Sequence, residues 1–152
     1  MKFFTRGWAH GDMTDEEAEA VAHAYQRHLD ALDLPQPVRV LASLNPHDGY
    51  ILDVEHEAST GALCLRLRCG DLQVGYFDAV LKFSSVKIPP AHLAQLVEAR
   101  RPACFEILYY EIDRADGDAF EYRILLSPVF EIAFRFREVA VIRQPVADRR
   151  TP

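Results

Sequence analysis

Apolar and polar residues along the chain change period near residue 50, and that change divides the molecule. Ala18, Val21, Ala22, Tyr25, Leu29 and Leu32 recur at steps of three and four, with Asp15, Glu19, Arg27 and Asp30 elsewhere on the wheel, the pattern of an amphipathic helix. Thr14 followed by Glu17 forms a capping box at its start. Pro35 and Pro37 end it, and Val38 to Leu44 form a second short helical segment before the turn Asn45-Pro46-His47-Asp48-Gly49.

Beyond Gly49 the repeat is two. Tyr50, Leu52, Val54 and His56 alternate with Ile51, Asp53, Glu55 and Glu57, and Ser59-Thr60-Gly61 turns the chain. Leu63, Leu65, Leu67 and Cys69 share one side of the next strand, with Cys64, Arg66 and Arg68 on the other. Gly70-Asp71 reads as a tight hairpin. Leu72, Val74 and Tyr76 then face one way and Phe77, Ala79, Leu81 and Phe83 the other, which predicts a bulge beside Gly75.

Pro89 and Pro90 open a short helix through Leu93, Leu96 and Val97, closed by Pro102. Phe105 to Asp113 and Phe120 to Leu126 form a hairpin about the Asp116-Gly117 turn. Phe130 to Ile142 reads as a final edge strand, leaving 143–152 as a polar tail. Helices first, then strands joined by short turns, predict one α+β domain with N-terminal helices packed on a largely antiparallel sheet of about six to seven strands. One sheet face packs on the first helix. The other carries Asp53, Glu55, Arg66, Arg68, Glu121, Arg123, Glu131 and Arg135, with opposite charges paired across strands.

Composition narrows the classes of function. Seventeen Lys and Arg against twenty-three Asp and Glu give a net charge of -6, which disfavours nucleic acid and anionic membrane surfaces as partners. The charge is uneven. Asp12, Asp15, Glu16, Glu17 and Glu19 crowd the first helix, while Arg135, Arg137, Arg143, Arg149 and Arg150 gather near the end as a local basic strip. Three cysteines, Cys64, Cys69 and Cys104, without a secretory signal point to reduced thiols and the cytoplasm. No apolar run reaches the roughly 18 residues of a membrane span.

Candidate chemistry is sparse. His47 beside Asp48 is the pair an acid-base hydrolase would use, although Asx turns already account for such residues in a loop. His10, His23, His28, His47, His56 and His92 lack the spacing of zinc ligands, so no metal is expected. Asp113, Asp116 and Asp118 read as an acidic hairpin tip rather than a calcium loop. No glycine-rich loop cradles a phosphate, and no cofactor is expected. Ser84 and Ser85 read as loop residues outside any nucleophile elbow. Trp8, with Phe3 and Phe4, makes an aromatic strip that docks the N-terminus or meets a ligand. Tyr109 and Tyr110 straddle the sheet, so one of them faces a partner.

The start Met1-Lys2-Phe3-Phe4-Thr5-Arg6-Gly7-Trp8, the acidic helix, and Cys69-Gly70-Asp71-Leu72-Gln73-Val74-Gly75-Tyr76-Phe77-Asp78 resemble an uncharacterised bacterial family, which implies no activity. The His47-Asp48 turn followed by strands also resembles small immunity-type proteins of bacterial toxin systems. In those a Leu usually precedes His-Asp directly, whereas Asn45-Pro46 intervenes here after Leu44. That resemblance implies a domain that binds and blocks a toxin.

Two functions are therefore expected in turn. The first is a non-catalytic protein-binding domain, with Trp8, Arg66, Arg68, Tyr109 and Arg135 as candidate contacts. The alternative is a small acid-base hydrolase built on His47 and Asp48. A homodimer through the edge strand Phe130–Ile142 is a further expectation.

Overall fold

The computed structural model describes residues 1–73, 75–101, 104–128 and 130–149. Val74, Pro102 and Arg150, named above, lie outside the described residues. The protein is α+β, with three helices before the first strand: α1 Arg6–His10, α2 Asp15–Ala31 and α3 Gln36–Ala42. Strands β1 Tyr50–Glu57, β2 Ala62–Asp71 and β3 Gly75–Ser84 follow, then α4 Pro90–Glu98, and then β4 Ile107–Arg114, β5 Phe120–Leu126, β6 Phe130–Phe136 and β7 Glu138–Val146. All pairings are antiparallel. The seven strands are divided between a four-stranded sheet, β1-β2-β3-β7, and a three-stranded sheet, β4-β5-β6.

The division falls at Arg137, whose N–H donates to the Ser84 carbonyl as the chain passes from one sheet to the other. Phe130–Ile142 is thus not one strand. β7 also runs to Val146, pairing with Tyr76 of β3, so the strand takes up the first part of the expected polar tail. The outer edge of β6 is occupied: Arg135 exchanges backbone hydrogen bonds with Lys87, and the N–H of Ala133 meets His92 Nδ1 at 3.1 Å. Of the edge expected to pair with a second copy, β7 remains as the end strand of the larger sheet.

The bulge lies in β1 rather than β3. An extra residue at Leu52 shifts the register between Ile51 and Asp53, so Ile51 and Val54 both turn inward despite opposite parity. In β3, Phe77, Ala79, Leu81 and Phe83 keep one phase opposite Cys69, Leu67, Leu65 and Leu63. Gly70 and Asp71 are strand residues paired with Tyr76 and Gly75, and the turn comes after them. Gly70 has φ of +99°, and a Cβ there would stand 2.1 Å from the Gly75 carbonyl oxygen, so only glycine fits. Ser84 likewise ends β3, with its hydroxyl 3.1 Å from Glu138.

The inner faces of the two sheets meet each other, and α2 packs on the core they form only through part of its face, with Leu29 and with Leu32 just beyond its end. Phe83 of β3 lies 5.0 Å from the rings of both Phe134 and Phe136 and 5.9 Å from Tyr122. The buried core is one contiguous cluster, to which α3 adds Val38 and Leu41 and α4 adds Leu96. From α2 only Tyr25 is buried, and its hydroxyl accepts the N–H of Ile112 at 2.8 Å. The helix is thereby tied to β4. Its capping box forms as the sequence indicates, with Thr14 and Glu17 bonded reciprocally. No helix among the described residues is long and apolar enough to cross a membrane.

Candidate functional site

A cleft of about 380 Å³ opens where α1, α2, the turn after α3 and β4 come together. Its position begins with Glu111, a β4 carboxylate only 1% exposed. Glu111 accepts the backbone N–H groups of Lys2, Phe3 and Phe4 at 2.6 to 3.0 Å, and Arg123 stands 3.4 Å away to balance the charge. Three N–H groups converging on one carboxylate fix the course of the N-terminal segment. Thr5 then caps α1 through the N–H of Trp8, and Gly11 closes it in the left-handed conformation. This short helix, which periodicity does not reveal, delivers Trp8.

Three rings gather around Phe4, and a fourth joins them through Tyr109. It stacks on Tyr109 with centroids 5.1 Å apart and meets Trp8 and Tyr25 edge-on at 5.2 and 5.1 Å. His47 stands edge-on to Tyr109, also at 5.1 Å. The β4 register shifts between Ile107 and Tyr109, just before the two tyrosines. Both Tyr109 and Tyr110 line it. The Tyr110 hydroxyl donates to the Ala42 carbonyl at 2.6 Å, and burial pushes its phenol up to about 12. Ala22, Gln26, Leu29, Ala42, Asn45 and Leu108 complete the wall, and no carboxylate, amine or guanidinium and no Ser, Thr or Cys lines the cleft among the described residues.

His47 and Asp48 sit on the rim. Their side chains approach to 3.2 Å yet remain 41% and 60% exposed. The turn is bonded within itself and to β4: His47 N–H donates to Asn45 Oδ1, Gly49 N–H to the Pro46 carbonyl and Asp48 N–H to the Ile107 carbonyl. Asp48 has φ of +59°, a conformation that Asp tolerates better than most side chains. From outside, Arg149 donates to the Asp48 carbonyl, pairs with Glu106 at 3.0 Å and lies over the Tyr50 ring.

The arginine candidates go elsewhere. Arg68 is buried rather than displayed on a sheet face, because the chain after β7 folds over it. Its guanidinium donates to Asp78 and to the carbonyls of Asp148 and Arg149, while Arg66 binds the same Asp78 at 2.8 Å. Burial pushes the Asp78 carboxyl up, but hydrogen bonds from Arg68 and Arg66 outweigh it and hold the group below its ordinary value. Arg135 pairs with Asp116 and Glu121 on the smaller sheet. Asp113 is a strand residue joined to Lys2 and His28, not part of a hairpin tip.

The structure thus brings together Trp8, Tyr109 and His47, with Asp48 at the edge, and separates Arg66, Arg68 and Arg135 from them. Phe4, Tyr25, Leu29 and Glu111 complete the site without having stood out in the sequence. Phe4 lay within the aromatic strip and Tyr25 on the helix stripe, whereas nothing local distinguishes Glu111. Among the described residues no group of three His, Cys, Asp or Glu side chains is placed to hold a metal ion. Comparison with protein-family models, with curated proteins and with solved structures finds no match to the chain.

Proposed function

We propose that the protein is a non-catalytic binding domain whose aromatic cleft receives an apolar side chain of a protein partner, in keeping with the immunity-type resemblance. One observation carries this reading. The cleft is walled by Phe4, Trp8, Tyr25, Leu29 and Tyr109, and among the described residues its lining holds no Asp, Glu, Lys, Arg, Ser, Thr or Cys. Concave, largely apolar sites rimmed by a few polar groups suit an inserted anchor side chain, and Trp and Tyr dominate such contacts energetically.

The test compares the wild-type chain with the double variant Trp8→Ala/Tyr109→Ala as baits in lysate of the source organism. Wild type is expected to retain one polypeptide in stoichiometric amount and the variant to lose it. Equal retention by both, or none by either, would sink the reading.

The hydrolase alternative has one observation in its favour, the 3.2 Å approach of His47 to Asp48 at the cleft rim. It calls for ester hydrolysis by the wild type that His47→Gln abolishes. Identical rates for the two proteins on p-nitrophenyl acetate would remove it.

A further inference from the structure

The cleft does not end at Leu29. Gln26, Leu29 and Ala42 also line a second depression of about 370 Å³ between α2 and α3, which continues past Leu32 and Leu34 to Asp30 and Arg39. The two hollows adjoin at Gln26, Leu29 and Ala42 and together make a line of depressions, a groove, along α2. From Ala22 to Leu32 it runs about 15 Å at 1.5 Å per residue, the reach of roughly four to five extended residues or ten helical ones. The helix is only partly covered by the core, against which Leu29 packs. Of its 17 residues only Tyr25 is buried, and Ala18, Val21 and Leu29 along its apolar stripe remain half-exposed.

Charge indicates what covers it. From Asp12 to Asp33 the chain carries seven carboxylates against one cation, Arg27, which amounts to the whole molecule's net charge of -6. Elsewhere acidic and basic residues balance at sixteen each, given totals of 23 and 17. Arg39, on the α3 side, is already turned to the Leu34 carbonyl at 2.7 Å and to Asp33. A field concentrated on one helix steers a segment of opposite sign toward it.

We infer that the groove docks a short basic peptide segment of the partner protein, its Lys and Arg residues lying along α2 while an apolar side chain enters the aromatic cleft. This rests on the reading of the cleft as a binding site and adds the partner's chemistry and the length of chain it presents. Segments of this kind recur in groove recognition, where apolar anchors give affinity and flanking charge gives selectivity.

The experiment titrates the protein with a fluorescein-labelled peptide of about twelve residues containing Lys, Leu and one Trp, beside counterparts with Glu for Lys and with Ala for Trp. Anisotropy reads affinity, and amide chemical shifts read location. The Lys peptide is expected to bind at least about tenfold more tightly than the Glu peptide and to weaken as salt is raised. Replacing its Trp with Ala should cost about tenfold. Shifts should extend from Trp8 and Tyr109 to Leu32 and Leu34. Charge reversal at the exposed pair Glu19→Lys/Asp30→Lys should erase the preference without altering the fold. Equal affinity for Lys and Glu peptides, or shifts confined to the aromatic cleft, overturns the inference and leaves the cleft reading standing. Absence of binding by all three peptides overturns it too, and retention of a native partner then decides the cleft reading separately.

Discussion

Two aromatic clusters in this protein have nearly the same internal spacing and opposite relations to water. Between the sheets, Phe83, Phe120, Tyr122, Phe134 and Phe136 pack with neighbouring centroids mostly 5.0 to 5.9 Å apart, and each is at most 3% exposed. In the cleft, Phe4, Trp8, Tyr25, Tyr109 and His47 stand 5.1 to 5.7 Å apart, yet only Tyr25 is buried. Ring-to-ring geometry therefore does not separate a core from a binding surface. The difference lies in what holds the rings. The inner set is sealed by apolar side chains of both sheets, whereas the outer set is held by polar anchors, Glu111 beneath the N-terminal segment and Arg149 behind the His47 turn.

That contrast can be broken by substitution. Phe134→Ala should lower stability most, by about 3 to 5 kcal/mol in chemical denaturation, because it opens a cavity in the sealed cluster. Asp78→Asn should cost about 3 kcal/mol by leaving the buried Arg68 without its counter-charge. Its pH signature has a definite sign. The Asp78 carboxyl is held below its ordinary value of 3.8, so its contribution is whole above about pH 4 and is lost as pH falls through the lowered value. The variant's melting temperature should therefore fall less on acidification than that of wild type.

Glu111→Gln should cost about 2 kcal/mol, since charge-assisted hydrogen bonds are exchanged for neutral ones. It should also broaden the amide resonances of Lys2, Phe3 and Phe4. Trp8→Ala should have the smallest effect on stability, roughly 1 kcal/mol, while abolishing retention of the partner. A loss as large as that of Phe134→Ala would place the cleft rings in the core and end the distinction between the clusters.

Much of the fold is legible locally. Thr14, Glu17 and the helical stripe announce α2, and Asp116-Gly117 announces the β4–β5 hairpin. The bulge at Leu52 is hidden because Tyr50 to Glu57 offers an apolar residue on either parity, so alternation alone cannot fix the phase. The change of sheet is hidden because Arg137, where it occurs, carries none of the Gly or Pro punctuation that marks a break. Arg68 follows the alternation of an outward residue, and only the returning chain at Asp148 and Arg149 buries it.

The site was legible in pieces. Trp8, Tyr109, His47 and Asp48 stand out as residue types, but their convergence depends on Glu111 gripping a segment more than one hundred positions away. No periodicity carries that information. The groove along α2 was masked for a related reason: its apolar stripe reads as a fully buried face, whereas only Tyr25 of the helix is buried and the core covers the rest in part.

The guanidinium of Arg149 gives the two ends of the sheet region a shared fate. It grips the loop bearing His47, while its own carbonyl is gripped by Arg68, so slack in the closing segment is transmitted to the mouth of the cleft. Arg149→Ala should accelerate amide hydrogen exchange at Asp48 and Gly49 while leaving the Phe134 cluster protected. The rim would then loosen independently of the interior, as a hinged jamb does in a rigid frame.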